Sequence, residues 1–314
     1  MVDDDSVVDP GGQGGQYWVM TSDPITFTTD EIGYYGVVVN INDSATRGAI
    51  PRWFLATLLF PEEETDIQLV EKVFLQIGDA CRRFGISLIG GHTEITPGIS
   101  RPILSGHMIG EVPKGKLVTT GGAREGDLLL LVKGVCIEGT SILARERERE
   151  LLARGLAPSL IQRARTFIFE PGIEVLSAAR TATEAATIHS MHDPTEGGVL
   201  NGIVEMAIAS GKEVEVELAK IPIYRESKIL CREFGLDPLG VIASGALLLT
   251  VAAEELPALA SAFVKAALPL EVIGKVNKGP SRVIARDEKG PREIQPFSRD
   301  EILKLYDEEA RSNS

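Results

Sequence analysis

The sequence of 314 residues is poor in cysteine, with only Cys81, Cys136 and Cys231. The number is odd, and no two of them stand close enough for a CxxC pair. This argues against a disulfide framework and against a zinc knuckle. Each cysteine lies in an apolar or helical context. We therefore predict three buried thiols in a reduced, cytoplasmic protein.

Long apolar runs and basic blocks are also lacking. The longest apolar stretches, such as 128–132 and 245–253, are far shorter than the ~18 residues of a membrane span. The N-terminus has no basic segment, so we expect no signal peptide. A net charge of −13 repels phosphate backbones. We therefore expect neither a membrane nor a nucleic acid as a partner, and a bound polyphosphate would need a divalent cation.

Several familiar catalytic motifs are missing. The sequence has no GxSxG, no HExxH among its four histidines, and no GxGxxG at the end of a predicted strand. The stretch Gly110–Leu117 nearly matches a P-loop. However, Leu117 replaces the Ser or Thr that would hold Mg²⁺, and Pro113 has no amide to offer a phosphate. These absences exclude the common hydrolase, zinc, dinucleotide and P-loop enzymes.

The composition is that of a globular protein, with 44% hydrophobic and 25% charged residues. Strand-like and helix-like segments alternate in both halves, which predicts two layered α/β domains. Residues 110–127 hold a proline, lysines and paired glycines and predict a domain junction. We therefore predict an N-terminal domain over residues 1–112 and a C-terminal domain over 113–314.

Local patterns predict individual elements. An apolar run, a glycine-rich turn and a second run predict a hairpin over 6–20. Helical spacing is clear over 66–84, and a buried strand at 86–89 runs into Gly90–Gly91. The alternating Arg and Glu of 141–154 predict a helix with a solvated face. Ser298 with Glu301 predicts a capping box for a final helix over 299–309.

Four acidic or glycine-rich motifs lie next to predicted strand ends: Asp3–Asp5, just ahead of the first strand, Thr21–Asp23, Asn42–Asp43 and Gly90–Glu94. Carboxylates gathered at one sheet edge repel one another unless a cation binds there, and Mg²⁺ prefers such hard oxygen ligands. Each aspartate taken alone is equally typical of a turn or a helix cap. Gly90–Gly91 fits either a phosphate contact or a plain strand-to-loop turn.

The run from His192 to Gly198 joins a predicted strand to a predicted helix. Thr195 is suited to cap that helix, whose free amides would then form an anion site. Asp193 and Glu196 would oppose a phosphate there unless a cation intervened. A capped helix without any ligand is the alternative.

Together these motifs resemble the aminoimidazole ribonucleotide (AIR) synthetase superfamily, which includes HypE, thiamine-monophosphate kinase and selenophosphate synthetase. The resemblance covers nearly the whole chain and is most specific in two segments, 42–51 and 193–198. It implies a two-domain PurM-like α/β fold of the α+β type, with N-terminal domains pairing into a shared β-barrel in a homodimer. It also implies ATP with Mg²⁺ in a cleft between the domains, and phosphoryl transfer to an oxygen of a small substrate.

The resemblance assigns roles to individual residues. The implied Mg²⁺ ligands are Asp3, Asp4, Asp23 and Asp43. The implied ATP-binding residues are Asn42, Gly90, Gly91, Thr93, Thr195, Glu196, Gly197 and Gly198. The implied catalytic residues are Asp43, Asp193 and His92, with His92 expected to touch phosphate or substrate. Catalysis would then depend on positioning and charge neutralisation.

Two departures from the family limit the expected activity. HypE proteins carry a terminal cysteine that accepts a carbamoyl group, whereas this sequence has no cysteine after Cys231. Val2 stands where the family places a glycine, and the segment before it is missing. We expect a HypE-like phosphotransferase with an unidentified substrate. A non-catalytic ATP-binding scaffold or sensor, and a thiamine-monophosphate-kinase-like enzyme, are the alternatives.

Overall fold

The computed structural model describes residues 5–11, 15–26, 30–287 and 290–306. The chain separates into two compact units, with the division between Leu117 and Val118. Both units combine sheets with helices, so the predicted two-domain α/β class is confirmed. Within the described residues, no helix is both long enough and apolar enough to cross a bilayer.

The first unit is a five-stranded sheet with two helices. Its elements are β1 (Asp5–Val8), β2 (Gln16–Ile25), α1 (Ile32–Thr46), β3 (Ile50–Pro61), α2 (Ile67–Phe84), β4 (Ser87–Thr96) and β5 (Ile103–Pro113). The strand order is β1-β2-β5-β3-β4, in which β3 and β4 are parallel and the other pairs antiparallel. The antiparallel pairing of β1 with β2 confirms the predicted hairpin. The sheet is open, and a barrel shared by two chains remains a prediction.

Helix α2 begins and ends as its sequence predicts. The Asp66 side chain accepts the Leu69 amide at 2.7 Å, which caps the first turn. Gly85 closes the helix in the left-handed conformation, with φ 69°. Helix α1 is buried almost throughout and packs on α2, β2 and β5. Its apolar residues, with those of β3 and β5, form the core of this unit.

Two predictions in the first unit are wrong. Asn42 and Asp43 do not follow a strand; they lie inside helix α1, because the run 32–46 contains no breaker after Gly36. The strand predicted as buried over 86–89 is β4, which is exposed along most of its length and continues through Gly90 and Gly91 to Thr96. Gly90–Thr93 is therefore the middle of an edge strand and not a loop.

The second unit holds a seven-stranded sheet of order β12-β11-β8-β10-β6-β9-β7. Its strands are β6 (Leu128–Val132), β7 (Ile188–His192), β8 (Glu213–Glu217), β9 (Leu247–Val251), β10 (Leu270–Asn277), β11 (Arg282–Asp287) and β12 (Gly290–Ile294). Strands β6 and β7 both pair antiparallel with β9, so they run in the same direction. The segments that follow β6 and β7 therefore leave the sheet at the same edge.

Seven helices accompany this sheet in the described residues. They are α3 (Ile137–Glu146), α4 (Glu148–Ala153), α5 (Pro158–Arg165), α6 (Leu176–Ala185), α7 (Gly198–Ser210), α8 (Arg225–Glu233) and α9 (Leu256–Lys265). One apolar core lies between the sheet and α7. A second core lies among α3, α5 and α8.

Two helix predictions in the second unit need correction. The segment 141–154 is not one solvated helix. Residues 137–144 of α3 are buried against α5 and α8, and the charged residues fall mainly at its end and in α4. Near the C-terminus, Asp300 and not Ser298 caps a short 3₁₀ turn, Glu301–Leu303, by accepting the Ile302 amide at 2.9 Å. Residues 307–309 of the predicted final helix lie outside the described residues.

Candidate functional site

One face of α1 carries three polar residues, Asn40, Asp43 and Arg47. Their spacing of three and then four residues places them along one side of the helix. Asn40 contacts β2 and Arg47 contacts β1, so this face looks onto the β1–β2 hairpin. Asp43 lies one turn from each of the other two. We call this the polar face of α1.

Asn40 is fully buried and joins α1 to β2. Its side-chain oxygen accepts the Thr21 hydroxyl at 3.1 Å and the Asp23 amide at 3.2 Å. Its side-chain nitrogen donates to the Gly36 carbonyl at 2.9 Å. Gly106 of β5 lets this amide approach, because a Cβ there would lie 2.5 Å from the Asn40 nitrogen. Sequence reasoning named Asn42 and missed Asn40, although a lone amide after Val37–Val39 signals a buried polar partner.

A buried ion pair fixes the start of β1 to the end of the polar face. Arg47 donates from Nε to an Asp5 carboxylate oxygen, and the two side chains are only 5% and 4% exposed. Asp5 stands opposite Thr21 in the strand register. Sequence reasoning placed Asp5 in an acidic run without a partner. The predicted ligands Asp3 and Asp4 lie outside the described residues.

Asp23 on β2 and Asp43 on α1 both lie next to Asn40. Asp23 follows Thr21 by two residues on β2, so both side chains point to the same side of the sheet. Thr21 bonds Asn40 there, and Asp43 follows Asn40 by one helical turn. Within the described ranges, no cluster of three or more His, Cys, Asp or Glu side chains could enclose a metal. Two carboxylates suit Mg²⁺, which keeps several waters and takes its other ligands from substrate phosphates.

The predicted glycine segment lies elsewhere in the first unit. Strands β5 and β3 separate β2 from β4, a distance of about 14 Å at ~4.8 Å per strand. Gly91 is required for the β3 contact, because a Cβ there would lie 1.9 Å from the Ala56 carbonyl oxygen. His92 Nε2 lies 3.6 Å from Glu94 Oε2, and both side chains are exposed. The sheet therefore does not bring Gly90–Thr93 to the Asp23–Asp43 pair.

In the second unit, the segment between β7 and α7 is arranged differently from the prediction. Gly197, with φ 77°, precedes the helix, and no side chain caps it. Thr195 acts through its carbonyl, which accepts the amides of Gly198 and Ala243. The Gly197 amide donates to an Asp300 carboxylate oxygen at 2.8 Å. Thr195 is therefore not the cap, and the amides of Gly197 and Gly198 are already bonded.

Carboxyl groups from distant parts of the sequence surround this segment. Burial, with smaller contributions from the nearby carboxyls of Glu196 and Asp300, raises the pKa of Glu138 to about 8. Burial also raises the pKa of Asp300 to about 6. Asp193 is buried and Glu196 is exposed. Glu138 and Asp300 were not among the predicted site residues, because only the tertiary fold places them beside Glu196.

The comparisons with known proteins cover both units. The model of the AIR synthase related protein N-terminal domain matches residues 2–112. The model of the AIR synthase related protein C-terminal domain matches residues 124–286, which is more than half of the chain. Together they span almost all of the described strands and helices.

Individual proteins are similar over comparable lengths. A putative hydrogenase expression/formation protein of Methanocaldococcus jannaschii is 29% identical over 240 residues, which are 75% of this chain and 66% of that protein. A structure of hydrogenase maturation protein HypE in complex with ATP has a TM-score of 0.71 and 22% identity, covering 93% of this chain and 87% of that one.

A structure of the Aquifex aeolicus thiamine-monophosphate kinase AaThiL, complexed with AMPPCP and TMP, has a TM-score of 0.72 and 20% identity. It covers 94% of this chain and 92% of that one. At such identities the two structural likenesses establish the fold alone.

Proposed function

The chain belongs to the AIR synthase related proteins, and from this premise we propose that it is an ATP-dependent phosphotransferase that phosphorylates an oxygen of a small substrate. The observation that carries the proposal is that Asp23 and Asp43 both flank Asn40 at the polar face of α1, since the Asp23 amide bonds Asn40 and Asp43 lies one helical turn away. A pair of carboxylates there suits a divalent cation, and a divalent cation is what a chain of net charge −13 needs to accept a polyphosphate.

Mg²⁺ would be held by Asp23 and Asp43, joined in the proposal by Asp3 and Asp4. When bound, it neutralises charge on the transferring phosphate. Asn40 and the Asp5–Arg47 pair hold β1 and β2 against α1, so the two carboxylates are positioned before any ligand arrives. Asn42, inside the same helix, stays a proposed shaping residue.

The segment from Asp193 to Gly198 stays a proposed nucleotide-binding element of the second unit. Its polar side chains that reach solvent are those of the half-buried Thr195 and the exposed Glu196. The Gly197 and Gly198 amides are already bonded. Glu138 provides a carboxyl that holds its proton at neutral pH beside this segment. For His92, on the exposed strand β4, we propose a contact with phosphate or substrate.

Titration calorimetry with ATP and Mg²⁺ tests the proposal. We expect binding by the natural chain and a weakening of about tenfold or more in Asp23→Asn and in Asp43→Asn, because each loses one charged metal ligand. Asp79→Asn is the matched control, since Asp79 is exposed on α2 and pairs with Arg82. Absence of ATP binding at millimolar concentration would contradict the proposal, as would equal losses in all three variants.

A direct assay can identify the substrate that accepts the phosphate. Similar structures include a HypE bound to ATP and AaThiL bound to AMPPCP and TMP. A screen for ADP release with carbamoylated compounds and with thiamine monophosphate distinguishes a HypE-like from a kinase-like reaction. ATP binding without ADP release under any acceptor would favour the non-catalytic scaffold or sensor.

A further inference from the structure

The second unit contains a cavity that none of the residues assigned above lines. It lies where the chain leaves β6, beside the 3₁₀ turn Thr166–Ile168 and the start of α8, and has a volume of about 480 Å³. That volume is within the range of small-molecule sites. Its walls carry Lys133, Arg163, Phe167 and Tyr224, so one cavity combines two cationic and two aromatic side chains.

Arg163 is anchored at the cavity wall by a buried acid. Its Nε lies 2.8 Å from Glu226 Oε1, and the Glu226 side chain is 4% exposed whereas that of Arg163 is 70% exposed. Among the described residues, nothing accepts from the two terminal amino groups of this guanidinium. The ion pair thus orients a planar fork whose free donors match a carboxylate or a phosphate.

Lys133 adds a second cation to the cavity wall, and backbone carbonyls hold its ammonium in place. Its ammonium donates to the carbonyls of Gly172 at 2.8 Å and Glu174 at 2.7 Å, which leaves one of its three N–H groups without an acceptor in the part of the chain that the structure describes. Lys133 also has φ 64°, and Ala267 on the same wall has φ 55°. Such strained backbone is concentrated at binding and catalytic sites.

Part of the wall is apolar. Phe167 and Tyr224 meet edge to face, with ring centroids 5.5 Å apart and planes at 77°. Leu268 and Pro269 line the cavity as well. A ligand here would meet both cationic donors and aromatic rings.

We propose that this cavity binds a small organic monocarboxylate, with its carboxylate held by Arg163 and Lys133 and its apolar part against Phe167 and Tyr224. The buried Glu226 and the exposed Glu170 on the same wall disfavour a more highly charged anion. The site is independent of the proposed phosphotransfer, because none of its residues belongs to the Asp23–Asp43 pair or to the segment 193–198.

The pH dependence of binding follows from Lys133. Burial lowers the pKa of Lys133 to about 8, and the charge of Glu174 partly offsets this. The other charged groups around the cavity are Arg163, Glu170 and Glu226, and the phenol of Tyr224, whose pKa burial raises, also faces it. A bound carboxylate favours the charged ammonium, so affinity falls as the pH rises through about 8. Proton uptake accompanies binding near and above that pH, because Lys133 is already charged well below it.

Ligand-observed NMR on the full chain tests the proposal with benzoate, 4-hydroxyphenylacetate, acetate, inorganic phosphate and the neutral analogue benzamide. We expect the aromatic carboxylates to bind and Arg163→Gln to weaken them by about tenfold. Arg180→Gln, which removes an exposed i,i+4 pair on α6, is the matched control and leaves the affinity unchanged. Lys133→Met removes both the second contact and the pH dependence.

Several results would overturn the proposal. These are no carboxylate binding at about 10 mM, equal binding of benzamide, tighter binding of phosphate, or unchanged affinity in Arg163→Gln. If Lys133→Met does not fold, the Arg163→Gln comparison and the pH profile of the natural chain still decide. ATP affinity measured in Arg163→Gln should equal that of the natural chain, which separates this site from the proposed function.

Discussion

Asn40 shows how one buried amide organises the candidate site. Its side-chain oxygen accepts hydrogen bonds from the Thr21 hydroxyl and the Asp23 amide on β2, and its side-chain nitrogen donates to the Gly36 carbonyl in α1. Removing its side chain takes an acceptor from the Asp23 amide and leaves the Thr21 hydroxyl only its bond to the Asn40 carbonyl, and an unsatisfied buried group costs more than the bond itself is worth. The same residue joins Asp23 to the helix that carries Asp43, so we expect its loss to affect both stability and the proposed ligand binding.

We expect Asn40→Ala to lower the free energy of unfolding by about 1–3 kcal/mol, because the Asp23 amide loses this acceptor and the Thr21 hydroxyl loses one of two. Urea unfolding followed by circular dichroism measures this change. Gln68→Ala on the exposed side of α2 is the control and should stay within about 0.5 kcal/mol. Equal effects in the two variants would show that Asn40 does not join the elements as described.

Glu138 makes the stability of the folded chain depend on pH. Its pKa is raised to about 8 in the folded chain, above the ordinary value of 4.5, mainly by burial. The folded state therefore binds the proton more tightly than the unfolded state, and stability falls as the pH rises from about 4.5 to about 8. Asp300, raised to about 6, adds to this fall at the lower end of the window.

We expect Glu138→Gln to flatten that slope by about 1 kcal/mol or more between pH 5 and 8, because the amide never ionises. Urea midpoints measured across the window report the slope. Glu254→Gln, an exposed acid before α9, serves as the control. A slope that is the same in all three proteins would place Glu138 in a more solvated environment than the structure does.

Among the elements, β4 departs most from its prediction. A short apolar run before two glycines is typical of a buried strand that ends in a loop, but β4 is an edge strand exposed on both faces. Its glycines serve a close strand contact. A Cβ at Gly91 would meet the Ala56 carbonyl at 1.9 Å, whereas one at Gly90 would have no atom within 4 Å.

The two glycines form their own matched pair, since their φ angles are similar at 158° and 152°. We expect Gly91→Ala to destabilise the first unit by about 1–3 kcal/mol more than Gly90→Ala does, because β4 must move away from β3. Thermal unfolding of the two variants measures the difference. If both lose the same stability, the strained φ angle and not the strand contact explains the glycines.

For the assembled molecule, the exposed edge of β4 suggests where a second copy binds. Leu88, Ile89 and Ile95 are 43%, 53% and 51% exposed on β4, which pairs with β3 and lies at the edge of the sheet. Apolar edges of this kind favour pairing with another chain. We propose a homodimer formed through this edge, in line with the pairing of N-terminal domains that the family resemblance implies.

We expect light scattering to show a dimer of the natural chain at micromolar concentration and a shift towards monomer in Ile95→Lys. The charge would have to be buried without a partner at the proposed interface. Val264→Lys changes an apolar side chain that is 80% exposed on α9 and is the control. A monomeric natural chain, or dissociation in both variants, would contradict the proposed interface.

The two-domain α/β class and the family are determined by the sequence alone. Local signals such as the Asp66 cap, the Gly85 stop and the hairpin glycines act within a few residues and are therefore readable in one dimension. The motifs around Asp43 and Asp193 identify the family for the same reason, since each is a short continuous run.

Only the tertiary structure decided which side chains meet. Asn40 bonds Thr21 and Asp23, Arg47 pairs with Asp5, and Glu138 lies near Asp300. These partners are far apart in sequence, and no local pattern encodes their distance. The burial that raises the pKa of Glu138 and lowers that of Lys133 depends likewise on the packing of several elements at once. The composition determines how many charged groups the chain carries, whereas the fold determines which of them are buried and desolvated.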